Sequence, residues 1–143
     1  MSNIGIVYAT MTKHSAKLAN AIGRALQLQA EDIKNGPQCK GLDLLFIVGG
    51  IYGGQSKPEL LEYVKGLDSQ AAKRVALVTS CTSNKQGQEG VRALLTEKGI
   101  QVVDEFICRG SFLFMGFGHP NRADVENAVR FACSLAGKAG IPA

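Results

Sequence analysis

The sequence predicts an α/β protein built on a doubly wound parallel β-sheet, with helices on both faces. Apolar segments rich in β-branched residues alternate along the chain with amphipathic helical patterns, and such alternation produces parallel strands joined by right-handed crossovers. Several of these segments are almost continuously apolar, which is typical of strands buried on both faces. Because the chain has 143 residues, of which 45% are apolar, we expect a single domain over residues 1–143.

The strands are predicted from runs of β-branched and apolar residues. Runs that are almost continuously apolar predict three strands buried on both faces, at Ile4–Tyr8, Leu44–Val48 and Val75–Thr79. A further strand at Val102–Ile107 contains Asp104 and Glu105, so we place it at an edge of the sheet. The segment Leu28–Ile33 mixes polar residues with apolar ones and predicts a short strand at the other edge.

The helices are predicted from apolar stripes at helical spacing. The stripes are centred on Leu18 to Leu26, Leu60 to Val64, Val91 to Leu95 and Val125 to Ala132. Capping boxes are predicted at Ser56 with Glu59 and at Asn121 with Asp124, and Gly99 is predicted to end the third helix. The stretch from Asn35 to Gly41 is too short for a crossover helix, so we expect one turn or an irregular loop there.

Composition excludes several classes of protein. The four cysteines, Cys39, Cys81, Cys108 and Cys133, form no Cys-x-x-Cys pair, which disfavours a zinc site or a dithiol and favours a reducing cytosol. The net charge of +4 comes from Lys and Arg spread along the chain, and Trp is absent, so nothing favours nucleic-acid binding. Because no apolar run approaches the ~20 residues of a membrane span, we expect a cytoplasmic protein that binds neither nucleic acid nor membrane.

The loop after the first strand has the composition of an anion site. In open α/β sheets, ligands bind beyond the carboxyl ends of the strands. Thr10, Thr12 and Ser15 lie there, just before a helix, and hydroxyl groups beside a helix N-terminus can hold a phosphate. The loop has neither a Gly-x-Gly-x-x-Gly nor a Walker motif, which disfavours dinucleotides and nucleoside triphosphates. The alternative is that these hydroxyls only cap the helix.

The same stretch, Thr10-Met11-Thr12-Lys13-His14-Ser15, resembles the phosphate loop of flavodoxins, Ser/Thr-x-Thr-Gly-x-Thr. The hydroxyl positions match, whereas Lys13 replaces the usual Gly and His14 stands where Asn is frequent. The resemblance extends over essentially the whole chain and is to the short-chain group. It implies a five-stranded sheet in the order 2-1-3-4-5 and bound flavin mononucleotide (FMN). Lys13 either adds a charge contact to the phosphate or forces a different turn.

A second loop is predicted directly after the strand Leu44–Val48, at Gly49-Gly50-Ile51-Tyr52-Gly53-Gly54. Its glycines permit positive φ and close approach of the backbone to a flat ligand. The resemblance implies that Gly50 to Gly54 bind FMN, with Tyr52 stacked on the isoalloxazine ring. It also implies that the peptide after Tyr52 or after Gly53 accepts a hydrogen bond from the reduced flavin. Without the resemblance, this stretch reads as a tight turn with a surface tyrosine.

A third loop follows the strand Val75–Thr79, at Ser80-Cys81-Thr82-Ser83-Asn84. The resemblance implies that this loop borders the pyrimidine edge of FMN. It contains no aromatic residue, so either one flavin face is less covered than usual or Met115 or Phe117, from the segment after the last strand, covers it. The alternative is that the aromatics of that segment fill the core. We interpret Cys81 as a small filler residue, because no histidine near it in sequence supports a nucleophile.

The resemblance implies an electron-transfer protein that cycles FMN between oxidised, semiquinone and hydroquinone states. An FMN-dependent NAD(P)H:quinone-type reductase and a flavodoxin-fold binding module without flavin remain as alternatives. The partner is a redox protein or a small-molecule acceptor, and the chain is a monomer or a weak homodimer. Because the chain is basic and carries Lys13 and Lys85 near the expected site, we predict a less negative hydroquinone couple than in flavodoxins generally. A response-regulator function is disfavoured, since Ala9, Thr10, Gly49 and Gly50 stand where its acidic residues would be needed.

Overall fold

Strands and helices alternate along the chain in the computed structural model, which describes residues 3–9, 14–52, 55–81, 87–109 and 122–138. Within these ranges, only the backbone is described at residues 14, 52, 55, 81, 108, 109, 122–124 and 138. The strands are β1 (Ile4–Tyr8), β2 (Glu31–Asp32), β3 (Leu44–Tyr52), β4 (Gln55–Ser56), β5 (Arg74–Cys81) and β6 (Gln101–Arg109). The helices are α1 (His14–Leu26), α2 (Pro58–Lys65), α3 (Glu89–Glu97) and α4 (Arg122–Lys138), with a 3₁₀ turn at Ile33–Asn35.

Five parallel strands form the body of the sheet in the order β2-β1-β3-β5-β6. Numbered without β4, this is the order 2-1-3-4-5, so the predicted fold class is confirmed. The sequence did not predict β4, which pairs antiparallel with the end of β3 through Ile51 with Ser56 and Tyr52 with Gln55. This pairing leaves residues 53 and 54 as a two-residue connection between the two strands.

Two separate cores cover the two faces of the sheet. On one face, α1 and α4 pack against side chains that include Ile6, Phe46 and Val78. On the other face, α2 and α3 pack against side chains that include Ile47 and Leu77. The central strands contribute to both cores because successive side chains point to opposite faces. This explains their continuous apolar sequences. Within the described ranges, every helix falls short of the combination of length and hydrophobicity that a bilayer crossing requires.

The predicted strand at Leu28–Ile33 is wrong in its extent, because only Glu31 and Asp32 pair with β1. At its start, the backbone N–H of Leu28 still belongs to the end of α1, since it donates to the carbonyl of Gly23. At its end, Ile33 enters the 3₁₀ turn, in which the Asp32 carboxylate accepts from the N–H of Lys34 at 2.9 Å. The chain from residue 36 to residue 41 contains no helix or strand, as predicted.

The helix boundaries confirm one predicted signal and correct another. Gly99 has φ +78°, and the N–H groups of Gly99 and Ile100 donate to Thr96 and Leu95, so α3 ends in a Schellman motif as expected. The capping box predicted at Ser56 is wrong. The N-cap of α2 is Lys57, with no side-chain hydrogen bond, and Pro58 occupies the first turn. Ser56 is instead buried in β4. The box predicted at residues 121 and 124 lies outside the described side chains.

Strand β6 is an edge strand, as its two acidic residues predicted, and it contains a bulge. Val75 pairs with Val102 but Ala76 pairs with Asp104, so Val103 is the extra residue. Val102 packs with the core under α2 and α3, whereas Phe106 packs with the core under α1 and α4. In a regular strand, residues 102 and 106 would face the same side. The bulge therefore directs Glu105 toward α3.

Candidate functional site

The candidate site lies at the carboxyl edge of the sheet. The three segments that the sequence predicts to bind FMN are found at the ends of the adjacent strands β1, β3 and β5. β1 lies beside β3, with Tyr8 paired to Val48, and the N–H of Ala9 continues this pairing by donating to Val48 at 3.0 Å. β3 lies beside β5, with Gly50 paired to Ser80. Candidate residues that are 30 positions apart in sequence are thus neighbours in the sheet.

The N-terminus of α1 carries a buried polar group without a hydrogen-bond partner among the described residues. α1 begins at His14, and its first turn contains no acidic residue. The first four N–H groups of an α-helix have no acceptor within the helix. Ser15, in the same turn, is fully buried, and its hydroxyl has no hydrogen-bond partner among the described residues. A buried hydroxyl without a partner costs about 1–3 kcal/mol, so the first turn presents unmet hydrogen-bonding capacity next to the positive end of a helix dipole.

The remaining residues of the first candidate segment cannot be placed around Ser15. Thr10, Met11, Thr12 and Lys13 lie outside the described residues, and only the backbone of His14 is described. Their assignment to a cofactor site stays a prediction from the sequence.

The second candidate segment is not a loop from Gly49 onward, and this part of the prediction is wrong. Gly49, Gly50, Ile51 and Tyr52 continue β3, and neither glycine has positive φ. Gly49 is needed for a different reason: an added Cβ would lie 2.7 Å from Cδ2 of Leu60, on α2. The apolar run stops at Val48. The strand nevertheless continues, because residues up to Ile51 pair with β5, and Ile51 and Tyr52 pair with β4. Gly53 and Gly54 lie outside the described residues.

The third candidate segment is also shorter as a loop than predicted. Ser80 and Cys81 are the last residues of β5, where Ser80 is buried and pairs with both Gly50 and Cys108. The prediction ended the strand at Thr79 because polar residues follow, yet the neighbouring strands supply pairing partners for two more residues. Thr82, Ser83 and Asn84 lie outside the described residues.

Tyr8 closes β1 beside the acidic edge strand β2. Its side chain is partly buried, and burial raises the pKa of its phenol, with smaller contributions in the same direction from the carboxylates of Asp32 and Glu31. The phenol therefore stays protonated and uncharged at neutral pH, at the strand end that leads into the first candidate segment.

Sequence reasoning missed a polar group that lies against the carboxyl half of β5, which we call the Glu105 cluster: Thr79, Gln88, Arg92 and Glu105. The side chain of Glu105 is only 10% exposed. It accepts hydrogen bonds from the Thr79 hydroxyl at 2.5 Å, the backbone N–H of Gln88 at 2.7 Å and the Arg92 guanidinium at 2.9 Å. The signal in the sequence was an acidic residue within a β-branched strand, which we read only as a mark of an edge.

A separate cavity of about 710 Å³ lies at the amino edge of the sheet, among the segments that lead into β3 and β5. Cys39 and Tyr63 contribute to its lining, and the Tyr63 hydroxyl donates to the carbonyl of Pro37 at 2.5 Å. Burial, followed by the neighbouring thiol of Cys39, raises the pKa of Tyr63. Because parallel strands begin at this edge, the cavity lies at the opposite end of the strands from the candidate site.

No protein-family model matches the sequence, and no curated protein is significantly similar to it. Solved structures do resemble this one. A flavodoxin from Streptococcus pneumoniae TIGR4 aligns with a TM-score of 0.70 over 96% of this chain and 99% of that chain, at 16% identity. Flavodoxin 2 from Bacillus cereus aligns with a TM-score of 0.63 over 96% of this chain and 99% of that one, at 20% identity. Rubredoxin oxygen:oxidoreductase from Desulfovibrio gigas aligns with a TM-score of 0.70 at 15% identity, over 98% of this chain but only 36% of that one. At these identities the likeness concerns the fold.

Proposed function

We propose that this chain, which has the flavodoxin fold, is a small electron-transfer protein that binds FMN at the carboxyl edge of its sheet. The observation that carries the proposal is the fully buried hydroxyl of Ser15 in the first turn of α1, which has no hydrogen-bond partner within the part of the chain that the structure describes. It lies in the helix that follows β1, which is where a phosphate would be held in an open α/β sheet.

A phosphate monoester fits this helix start on chemical grounds. Its oxygens accept hydrogen bonds from backbone N–H groups and from hydroxyls, and its negative charge is favoured at a helix N-terminus. Ser15 would supply one hydroxyl, and the sequence places two more at Thr10 and Thr12. The absence of an acidic side chain from the first turn of α1 leaves no built-in competitor for the anion there.

The flavin ring would lie along the ends of β3 and β5, which are neighbours in the sheet. Tyr52 ends β3 and is our candidate for stacking on the ring. Ser80 and Cys81 end β5, where they pair with Gly50 and Ile51 of β3. The chain would therefore bind the phosphate from α1 and the ring from two adjacent strand ends.

When bound, FMN supplies the redox chemistry by carrying one or two electrons, and the protein contributes binding, orientation and electrostatics. The net charge of +4 would favour an acidic redox protein or an anionic small acceptor as the partner.

The decisive experiment is a titration of the purified chain with FMN and with riboflavin, which lacks the phosphate. We expect FMN to bind at least about tenfold more tightly, because one charged hydrogen bond contributes about 1.5–3 kcal/mol. Equal affinity for the two ligands would contradict the phosphate site, and absence of flavin binding would contradict the whole proposal. Rapid NADH or NADPH oxidation with a quinone by the FMN-loaded chain alone would instead establish a reductase.

A further inference from the structure

We propose that Glu105 is a positioning residue for the flavin site, which it serves by fixing the start of α3 against the carboxyl end of β5. The inference rests on the proposed function. It concerns residues that do not touch the cofactor themselves but hold the two flanks of the segment 82–86, part of which we expect to border FMN.

The Glu105 carboxylate accepts hydrogen bonds from both sides of the segment 82–86. Two of its three donors, the Thr79 hydroxyl and the backbone N–H of Gln88, come from the two sides of that segment. Gln88 is the N-cap of α3, so its N–H has no acceptor within the helix. A carboxylate at a helix N-terminus is also favoured by the helix dipole. One largely buried carboxylate thus joins the end of a strand to the start of the next helix.

The side chain of Gln88 extends this connection to β3. The fully buried side-chain amide of Gln88 donates to the carbonyl oxygens of Val78 at 3.1 Å and Ile47 at 3.3 Å, and to the Thr79 hydroxyl oxygen at 3.1 Å. These acceptors belong to the two strands whose ends would carry the flavin ring. The Glu105 cluster therefore ties α3 to both strands at once.

The backbone makes room for the Glu105 cluster at two glycines. An added Cβ at Gly87 would lie 2.5 Å from Oε1 of Glu105, and one at Gly49 would lie 3.3 Å from Oε1 of Gln88. The bulge at Val103 completes the arrangement, because it directs Glu105 toward α3 rather than toward α4. Three local features, two glycines and a bulge, serve the same contact.

The test compares Glu105→Gln with Glu97→Gln, an exposed carboxyl at the end of α3 that loses the same charge. Glu105→Gln retains the shape of the side chain, but its amide nitrogen cannot accept from one of the donors. We expect the FMN dissociation constant to rise about tenfold in Glu105→Gln and to change less than about twofold in Glu97→Gln. Similar effects in the two variants would overturn the inference.

A second pair of variants separates positioning from packing at Thr79, which is fully buried. Thr79→Ser keeps the hydroxyl and loses a methyl group, whereas Thr79→Val keeps the volume and loses the hydroxyl. If the hydroxyl positions Glu105, Thr79→Val weakens FMN binding and shifts the flavin midpoint potential and visible circular dichroism at saturating FMN. Thr79→Ser leaves these three properties near those of the wild type. The reverse pattern would show that Thr79 acts only by filling space.

The protein without cofactor provides a readout that does not depend on flavin. Amide hydrogen exchange should show protection of the Gln88 N–H in the wild type and in Glu97→Gln, and faster exchange in Glu105→Gln. Unchanged exchange would overturn the anchoring step. If the wild type fails to bind FMN, the proposed function fails and this inference with it. If the wild type binds FMN and Glu105→Gln binds it equally well, only the positioning role of Glu105 is refuted.

Discussion

The backbone N–H of Leu28 donates to the carbonyl oxygen of Gly23 at 2.8 Å and closes the C-terminus of α1. This bond requires a left-handed residue between the helix and Leu28, and Gln27 takes that conformation with φ +59°. Among the described non-glycine residues, only Gln27 has positive φ. A left-handed conformation costs about 1–2 kcal/mol for a residue with a Cβ. The end of α1 therefore includes a conformational cost that glycine at position 27 would remove.

Gln27→Gly is therefore expected to stabilise the protein. The gain should be about 0.5–1 kcal/mol, because relief of the left-handed conformation exceeds the extra entropy that glycine has in the unfolded chain. Urea unfolding followed by circular dichroism measures it. Gly99→Ala is the opposite control, since Gly99 ends α3 with φ +78°. It should lose about 1 kcal/mol. A Gln27→Gly variant that is less stable than the wild type would contradict this account of the end of α1.

Gly49→Ala is expected to destabilise the protein by about 1–3 kcal/mol, as overpacking of a buried site does. The added methyl group would lie 2.7 Å from Cδ2 of Leu60 and 3.3 Å from Oε1 of Gln88, both of them fully buried. Thermal or urea unfolding measures the loss. Gly137→Ala, near the end of α4, is the matched control because an added Cβ there meets nothing within 4 Å. If both substitutions changed the free energy of unfolding equally, the close approach at Gly49 would not be the cause of the loss.

The fold could be predicted from the sequence because burial on both faces leaves a strong pattern. Leu44–Val48 and Val75–Thr79 are almost continuously apolar, and both lie in central strands. The ends of these strands could not be predicted, because Gly50 and Ser80 are in strands owing to their pairing with each other. β4 was missed for a related reason. Two residues are too few for a recognisable strand pattern. The Gly-Gly pair before them is typical of a hairpin turn, but we interpreted it only as a loop.

The position of Ser15 could be predicted because it depends on a local pattern. A hydroxyl residue at the beginning of a helix after a buried strand is a local pattern, and Ser15 does lie in the first turn of α1. The Glu105 cluster was not predictable, because its members come from β5, α3 and β6, and a bulge decides which face of the sheet Glu105 points to. Bulges and tertiary hydrogen bonds between distant segments leave little trace in a single sequence.

Acid stability is expected to depend on Asp43. The backbone N–H of Asn3 donates to Oδ2 of Asp43 at 2.8 Å and lowers the pKa of this carboxyl, with a smaller contribution from the Lys73 ammonium. A folded-state pKa below the unfolded value stabilises the folded state at pH above about 3.9. This stabilisation is lost as the pH falls through the folded-state pKa. Urea midpoints of the wild type and Asp43→Asn should therefore differ most above pH ~4 and converge at lower pH.

Lys73→Met separates the contribution of Lys73 to this pKa shift from that of the Asn3 backbone N–H. The Lys73 side chain is 78% exposed and lies 3.6 Å from Oδ1 of Asp43, so its contribution is screened by water and salt. Most of the pH dependence should therefore survive in Lys73→Met. If the pH dependence disappeared, the ion pair with Lys73 rather than the backbone N–H of Asn3 would be the main cause of the lowered pKa of Asp43.

Ser15→Ala is expected to separate the stability of the protein from its affinity for FMN. Without cofactor, the variant should be as stable as the wild type or more stable by about 0.5–1 kcal/mol, because it removes a buried unpartnered hydroxyl and improves helix propensity. FMN affinity should fall by about 1–3 kcal/mol, since a hydrogen bond to a charged phosphate is lost, while riboflavin affinity stays constant. Unfolding and flavin titrations measure the two effects. Ser134→Ala, at an exposed position in α4, should change neither affinity. Destabilisation of the cofactor-free Ser15→Ala protein would mean that this hydroxyl already has a partner, and the phosphate would then have to bind elsewhere.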